Sequence, residues 1–149
     1  MRHSVTTAAM ATAALSSTTL AQDSSSCVSG LYMIVARGTT EPSGPGVTGL
    51  LAERIASRIK DSKVVALDYP ATFTDPLYTE SVTNGTETLG EMVRSYAEDC
   101  PDGKMALFGY SQGAHVVGNV ICGGGFDEEK AVPKDIVEDH GMDQPTDKR

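Results

Sequence analysis

Three short apolar runs are spaced along the first two thirds of the chain, and each ends at a charged residue or a glycine. The runs cover residues 31–36, 63–67 and 104–108. Runs of this length, bounded by turn residues, are typical of strands buried on both faces, as found in parallel sheets. The pattern therefore predicts three buried strands.

The segments between and after these strands carry apolar residues at helical spacing. In the first segment they fall at i, i+3, i+4, i+8 and i+12 on one helical face, and they are Val47, Leu50, Leu51, Ile55 and Ile59. This spacing predicts an amphipathic helix, in which such a stripe faces the core. A second helix is predicted over 81–99, although Gly85 and Gly90 weaken its early turns. A third is predicted from Gln112 to the glycines at 123–125.

The alternation of strands and helices sets the fold class. It implies right-handed crossovers and a parallel sheet, so we expect an α/β protein, a three-layer α/β/α sandwich. Functional loops of such folds gather at the carboxyl ends of the strands. The loops at 37–41, after Asp68 and at 109–113 are predicted to lie together there.

The two ends of the chain differ in composition from its middle and lack the alternation of predicted strands and helices. Residues 1–21 combine a basic start at Arg2, a short apolar run and a small-residue site ending at Ala21, which is typical of a signal peptide. A frayed N-terminal tail is the alternative. Residues 126–149 hold 12 charged and six apolar side chains. A short helix around 134–139 is possible there, but a polar, partly disordered tail is the favoured expectation.

The length of the chain and its acidic charge limit the number of domains and the classes of partner that it could bind. The 149 residues indicate one domain. Removing residues 1–21 removes one basic side chain and no acidic one, which leaves 11 basic and 20 acidic side chains in 128 residues. So acidic a chain is not expected to bind nucleic acid. It has no apolar run long enough to span a bilayer. Together with the predicted signal peptide, this favours an exported protein, which is expected to be a monomer.

The strongest chemical signal is the sequence Gly-Tyr-Ser-Gln-Gly at 109–113, between a predicted strand and a predicted helix. It matches the nucleophile elbow G-x-S-x-G, in which a strained turn raises the serine above the sheet and the glycines relieve crowding. Ser111 is the predicted nucleophile. The backbone N–H of Gln112 is the first expected oxyanion donor. Thr39 is the candidate second donor, with an ordinary Gly-Thr turn as the alternative.

Five segments, taken in order, resemble the landmarks of the fungal cutinase and acetylxylan esterase family. They are Ala-Arg-Gly-Thr-Thr-Glu at 36–41, Asp-Tyr-Pro-Ala at 68–71, Cys-Pro at 100–101, the elbow at 109–113 and Cys-Gly-Gly-Gly at 122–125. The resemblance covers roughly residues 27–125. It implies an α/β-hydrolase fold without a lid, Ser111 as nucleophile, and Gln112 and Thr39 as the oxyanion hole. The segment at 122–125 leans slightly toward the acetylxylan esterases.

The cysteines fit an exported chain. Cys27 and Cys100 precede the first and third predicted strands, whose starts should be close, and the resemblance implies a disulfide between them. Cys122 is then left over, either as a buried small hydrophobe or as a residue whose partner has been lost. No Cys/His spacing suggests a metal site, and no cofactor is expected. Asn84 begins an N-glycosylation sequon.

A serine hydrolase of this fold also needs an acid and then a histidine downstream of the serine. His115 lies one turn along the elbow's helix, so it is predicted to be a structural or surface residue. His140 is the remaining candidate base, with Asp127 or Asp135 as its acid. Its charged surroundings offer no apolar anchor for a catalytic geometry.

In the resembling family a further strand and helix separate the elbow from the acid, and neither is seen in the 38 residues after Ser111. The sequence therefore predicts a domain that is incomplete at its C-terminus. A shortened gene product, a degenerate hydrolase and a makeshift triad from the tail remain open. The predicted function is a secreted serine esterase acting on plant cell-wall esters, cutin or acetylxylan, through an acyl-enzyme. The alternative is an inactive hydrolase that acts as a secreted binding or effector-like protein.

Overall fold

The structure, a computed structural model, describes residues 27–123 and 134–142. The predicted signal peptide, Asp127 and most of the charged tail lie outside these residues. The elements follow in the order β1 (Leu31–Ala36), α1 (Gly46–Ala56), β2 (Lys63–Ala66), α2 (Tyr78–Asp99), β3 (Lys104–Gly109), α3 (Gln112–Cys122) and α4 (Lys134–Asp139).

The three described strands form a parallel sheet in the order β2-β1-β3. The central strand β1 is the most apolar, and residues 33–36 are all buried. β2 and β3 are the outer strands of this sheet and are half-buried along most of their length. The prediction of a parallel sheet is confirmed. Full burial of all three strands is wrong because, among the described strands, only β1 has a neighbour on each side.

Alternate residues of β1 point into two separate cores. Ile34 and Ala36 face a large cluster built with α2 and α3. Met33 and Val35 face a smaller cluster that includes Ala52 of α1. Helices therefore cover both faces of the sheet, and the expected three-layer α/β/α architecture is confirmed. Each crossover helix lies between two parallel strands in the sequence, as a βαβ unit requires.

The first helix forms where predicted, but its buried face is different. The residues buried on α1 are Gly49 and Ala52. Four of the five apolar residues of the expected stripe are exposed instead, namely Val47, Leu50, Leu51 and Ile59. Ala52 packs with Met33 and Val35 of the sheet, with Ile55 beside them, so this side of α1 faces the sheet and most of the apolar stripe faces solvent. The predicted core face of α1 is therefore wrong.

The second and third helices agree with the pattern more closely. α2 begins at Tyr78, three residues before the predicted start, and continues through both glycines to Asp99. A side chain at Gly85 would meet Tyr69 and Val116, so this glycine permits the close contact of α2 with α3. α3 ends at Gly123, which caps the helix in the left-handed conformation at φ 68°.

The last helix, α4, departs from the favoured expectation of a polar tail at these positions. Val137 and His140 are buried, with 5% and 4% of their surfaces exposed. The N–H of Met105 donates to the carbonyl of His140 over 3.1 Å, which attaches this segment to the outer edge of β3. The hydrogen bond lies at the start of β3, the end of the strand remote from the predicted elbow.

The predicted disulfide between Cys27 and Cys100 is confirmed, with a Cα separation of 5.5 Å. Cys122 is not part of it and is exposed at the end of α3, so the expectation of a buried hydrophobe is wrong. Asn84 is exposed on α2, and its glycosylation remains a prediction.

Replacing both bridged cysteines by serine is expected to lower the free energy of unfolding by about 2–4 kcal/mol. The bridge joins residues 73 positions apart, so its loss frees a long loop in the unfolded chain. Urea unfolding of the double variant against the oxidised protein measures the effect. Cys122→Ser is the matched control and should stay within about 0.5 kcal/mol of wild type. A double variant as stable as wild type would contradict the prediction.

Candidate active site

Ser111 lies in a sharp turn between the end of β3 and the start of α3. Its backbone has φ 51° and ψ −112°, a conformation that residues other than glycine rarely adopt. Such strain persists only where the surrounding structure imposes it, and it is concentrated at functional sites. The side chain is exposed and stands directly before the first turn of α3. This is the geometry of a nucleophile elbow.

Two glycines make this turn possible. A Cβ atom at Gly113 would fall on the backbone carbonyls of Ala36 and Arg37. A Cβ atom at Gly109 would fall on the backbone of Gly113 itself. The strand β1, the turn and the helix α3 therefore pack backbone against backbone, and the spacing of the two glycines around Ser111 follows from that crowding.

The loop after β1 lies against the same turn. The N–H of Tyr110 donates to the carbonyl of Ala36 over 3.2 Å, and a side chain at Gly38 would meet the Tyr110 ring. Glu41 stabilises the loop, because its carboxylate accepts from the N–H of Gly38 and from that of Val47 at the start of α1. Thr39 is thereby held beside the elbow.

The two amides predicted as oxyanion donors have no hydrogen-bond partner in the described part of the chain. Within residues 27–123 and 134–142, neither the N–H of Thr39 nor that of Gln112 donates a hydrogen bond. The Gln112 amide lies in the first turn of α3, where the positive end of the helix dipole favours an anion. The structure thus brings Ser111, Gln112 and the loop of Thr39 together at the carboxyl edge of the sheet.

Arg37 connects two loops at this edge and was not singled out by the sequence. Its side chain is only 5% exposed. It donates to the carbonyl of Tyr69 over 2.6 Å and to that of Glu41 over 3.1 Å, and its guanidinium lies 5.2 Å from the Tyr69 ring centroid. A buried charge must be compensated, and here backbone carbonyls do so. The signal that could have revealed it is a lone arginine directly after the most apolar strand.

Tyr69 completes this link. Its phenol donates to the carbonyl of Arg37. Burial raises the pKa of Tyr69 from 10.0 to about 12, against a smaller lowering by the Arg37 guanidinium. The folded protein therefore favours the neutral phenol over the phenolate.

Alkaline titration should report this phenol. Below pH 10.0 it is neutral in both states and its contribution to stability is complete. As the pH rises, the unfolded chain loses the proton first, so the free energy of unfolding should fall until the pH passes about 12. Urea unfolding across this range measures the fall, and Tyr69→Phe should reduce it.

Tyr32→Phe is the control for the alkaline titration, because burial also raises the pKa of Tyr32. This variant should retain the part of the fall that belongs to Tyr69. An unchanged pH dependence in Tyr69→Phe would contradict the assignment.

The structure does not bring the predicted base to Ser111. His140 is attached to Met105 at the start of β3, whereas Ser111 follows the end of that strand. β3 has six residues, so five steps of about 3.3 Å place roughly 16 Å between its two ends. The Nδ1 atom of His140 lies 3.0 Å from the carbonyl of Ile136, and its Nε2 atom is buried without a partner among the described residues.

The other predicted site residues are placed as follows. His115 is exposed on α3, with its Nδ1 atom 3.3 Å from the Tyr78 hydroxyl, as expected for a surface histidine. Asp135 is exposed on α4, the same segment as His140. Asp127 lies outside the described residues. In the described part of the chain, no side chain makes a hydrogen bond to the Ser111 hydroxyl.

Apolar side chains are exposed on the loops around the elbow. Tyr110 exposes 51% of its surface, Phe73 64% and Leu77 63%. Tyr110 directly precedes Ser111, while the other two lie between β2 and α2. Large apolar residues at such exposure form a surface suited to contact with apolar material.

The parallel sheet covered on both faces and the strained serine between β3 and α3 define an α/β-hydrolase fold. The chain belongs to the cutinase family, whose family model matches residues 26–144. Similar proteins include an acetylxylan esterase of Hypocrea jecorina, 31% identical over 64% of this chain and 33% of the relative. Cutinase 11 of Verticillium dahliae is 33% identical over 67% of this chain and 35% of the relative.

Solved structures give the same picture. The catalytic core domain of acetyl xylan esterase from Trichoderma reesei superposes with a TM-score of 0.69 at 25% identity, over 76% of this chain and 60% of that one. An acetylxylan esterase structure at 0.90 Å resolution gives a TM-score of 0.70 at 27% identity, with coverage of 76% and 59%. The chain spans about a third of the length of the two curated relatives named above.

Two searches of the described residues bear on partners. None of the helices in residues 27–123 and 134–142 is long and apolar enough to cross a membrane. Over the same residues, no three side chains among His, Cys, Asp and Glu are grouped so that they could hold a metal ion.

Proposed function

We propose that this protein is a serine carboxylic-ester hydrolase that works through an acyl-enzyme. The observation that carries the proposal is the strained, exposed Ser111 placed before the N-terminus of α3. A serine hydroxyl held in this way is accessible to a carbonyl carbon from the solvent side. Membership of the cutinase family supports the same chemistry.

In the proposed reaction, the Ser111 oxygen attacks the ester carbonyl and its proton passes to a base. The N–H groups of Gln112 and Thr39 donate hydrogen bonds to the carbonyl oxygen as negative charge develops on it. As the tetrahedral intermediate collapses, the base returns the proton to the leaving oxygen, which departs as the alcohol and leaves an ester on Ser111. Water then attacks this acyl-enzyme by the same route, which releases the acid and restores the serine.

The acid and base of this proposal are Asp127 and His140, in the chain order that the fold uses. In the structure His140 lies at the other edge of the sheet, so this role requires a different position of the segment around α4. Any hydrolysis without that rearrangement would depend on the oxyanion hole and binding alone, which give far slower turnover than a complete triad.

The proposed substrates are esters of plant cell-wall polymers, cutin or acetylated xylan. The names of the similar proteins support both. The exposed Phe73, Leu77 and Tyr110 beside the elbow suit an apolar ester-bearing surface. Export by a signal peptide at residues 1–21 belongs to the same proposal, because the substrates lie outside the cell.

The second candidate is a secreted protein that binds without turnover. The observation that favours it is the position of His140, roughly 16 Å along β3 from the elbow. A fold that keeps a serine elbow but no base beside it retains a shaped surface for esters and loses efficient proton transfer.

Reaction with a fluorophosphonate probe separates the two candidates. The proposal expects a covalent adduct on Ser111, located by mass spectrometry, together with hydrolysis of p-nitrophenyl acetate by the purified full chain. A protein that gives neither the adduct nor hydrolysis above background would support the binding protein and overturn the enzyme.

A further inference from the structure

The side chain of Gln112 is completely buried and makes hydrogen bonds of its own, in addition to the backbone N–H predicted as an oxyanion donor. None of its surface is exposed, although the residue is polar and begins a helix. A buried amide is costly unless its donors and acceptors are satisfied. The partners of this amide come from two other parts of the fold, α2 and the loop after β2.

Three hydrogen bonds join these parts in a closed ring. The Ser81 hydroxyl on α2 donates to the Gln112 side-chain carbonyl over 3.0 Å. The Gln112 amide nitrogen donates to the carbonyl of Thr72 over 2.8 Å. The N–H of Thr72 donates back to the Ser81 oxygen over 3.1 Å. The ring fixes the first residue of α3 against Thr72.

The same loop also holds the other oxyanion donor. The carbonyl of Ala71, the neighbour of Thr72, accepts from the N–H of Thr40 over 2.8 Å. Thr40 in turn is the neighbour of Thr39. A continuous chain of contacts therefore runs from Gln112 through Thr72 and Ala71 to the loop of Thr39. Thr40 and Ala71 both have positive φ, at 63° and 52°, so the backbone is constrained where the two loops meet.

We propose that the Gln112 side chain is a positioning residue that sets the spacing between the two oxyanion N–H groups through the loop at residues 71–72. The inference rests on the proposed function, since it concerns how that site holds its oxyanion. The Gln112 side chain lies in the buried ring and acts through the backbone. A misplacement of about 1 Å at such a site can cost about 10²-fold in rate.

The structure supplies a matched control on the same two helices. Asn119 of α3 donates to the hydroxyl of Thr86 on α2, another buried contact between side chains, over 3.4 Å. This pair lies further along both helices and does not contact the loop at 71–72. Removing it should weaken α2–α3 packing without moving either oxyanion donor.

The test measures the fluorophosphonate inactivation rate constant, the probe affinity and the melting temperature of the full chain. Gln112→Met and Ser81→Ala are each expected to lower the inactivation rate constant by about 10²-fold. The probe affinity should stay within about twofold of wild type, because the change affects the transition state. Asn119→Leu should lower the melting temperature about as much as Gln112→Met and Ser81→Ala do. It should leave the inactivation rate constant at the wild-type value.

Gln112→Glu adds a readout that a purely structural role would not produce. The ionised side chain cannot donate to the carbonyl of Thr72, whereas the protonated acid can. The rate constant of this variant relative to wild type should therefore recover toward low pH. Ser81→Ala keeps the test decisive if Gln112→Met does not fold.

Each outcome has a distinct meaning. Wild-type protein that is not labelled on Ser111 overturns the proposed function and this inference together. Labelled wild type with unchanged rate constants in Gln112→Met or Ser81→Ala overturns the inference alone. The inference also fails if Asn119→Leu slows inactivation as much as these variants do, because the effect would then follow stability.

Discussion

Replacing Ser111 by alanine is expected to abolish labelling by a fluorophosphonate and to reduce p-nitrophenyl acetate hydrolysis to background. The reason is that, in the proposed reaction, Ser111 supplies the attacking oxygen, for which neither the proposed oxyanion donors nor the surrounding surface can substitute. Removing the nucleophile of an intact serine hydrolase costs about 10⁶-fold in turnover. Labelling is the more sensitive readout here, since it needs only the first chemical step, the attack by the serine as its proton passes to a base, and no second step.

The Ser111→Ala result needs a folded variant and a second serine as controls. Alanine occupies the same strained backbone conformation as serine, so the melting temperature should change little. Ser57→Ala removes an exposed hydroxyl that bonds only to the carbonyl of Arg54 near the end of α1. It should be labelled like wild type. An adduct that persists in Ser111→Ala would place the nucleophile elsewhere and contradict the proposed function.

Replacing Gly113 by alanine is expected to destabilise the fold by more than about 4 kcal/mol, an exceptional cost for a single methyl group. The new Cβ would meet the backbone of Ala36 and Arg37, which cannot rotate away as a side chain could. The Ala36 carbonyl also accepts from the N–H of Tyr110, so moving it would disturb the elbow. Urea unfolding with circular dichroism measures the loss.

Gly118→Ala is the matched control for Gly113→Ala, since both glycines lie on α3. Among the described residues, a Cβ at Gly118 would meet nothing within 4 Å beyond its own helix. Alanine is the better helix former, so this variant should gain about 0.5–1 kcal/mol. Equal stabilities for the two variants would show that the contact between the elbow and β1 is looser than the structure has it.

Much of the fold could be predicted because its signals are local. The strand β1 is a continuous apolar run, and α3 begins at Gln112 and ends at a glycine, as the sequence indicated. The face of α1 could not be predicted in the same way. Its apolar stripe is real, but the residues buried on α1 are Gly49 and Ala52, and Ala52 is the one that packs with Met33 and Val35 of the sheet. Which face is buried is decided by how the helix is placed against the sheet, and the spacing of apolar residues along the chain does not record that placement.

The candidate site also contains both residues that could be predicted from the sequence and residues that only the structure showed. Ser111 and its two glycines were recognisable because an elbow needs them at fixed spacing. Arg37 and the ring around Gln112 were not, since their partners are carbonyls and hydroxyls some 30 to 40 residues away in the sequence. A side chain whose partners are backbone atoms leaves no complementary residue type to find.

The sequence by itself determined the order of strands and helices and the parallel sheet, and it predicted Ser111 as the nucleophile, because periodicity and motif spacing act over a few residues. The disulfide partners came from the resemblance to a known family. Only the tertiary structure decided which face of α1 is buried, how two loops hold the candidate oxyanion donors, and where His140 lies. His140 satisfies the order of a triad in the chain, yet its carbonyl accepts from Met105 at the opposite end of β3 from Ser111. Order along a chain constrains distance weakly, whereas the packing of a segment against a sheet edge fixes it.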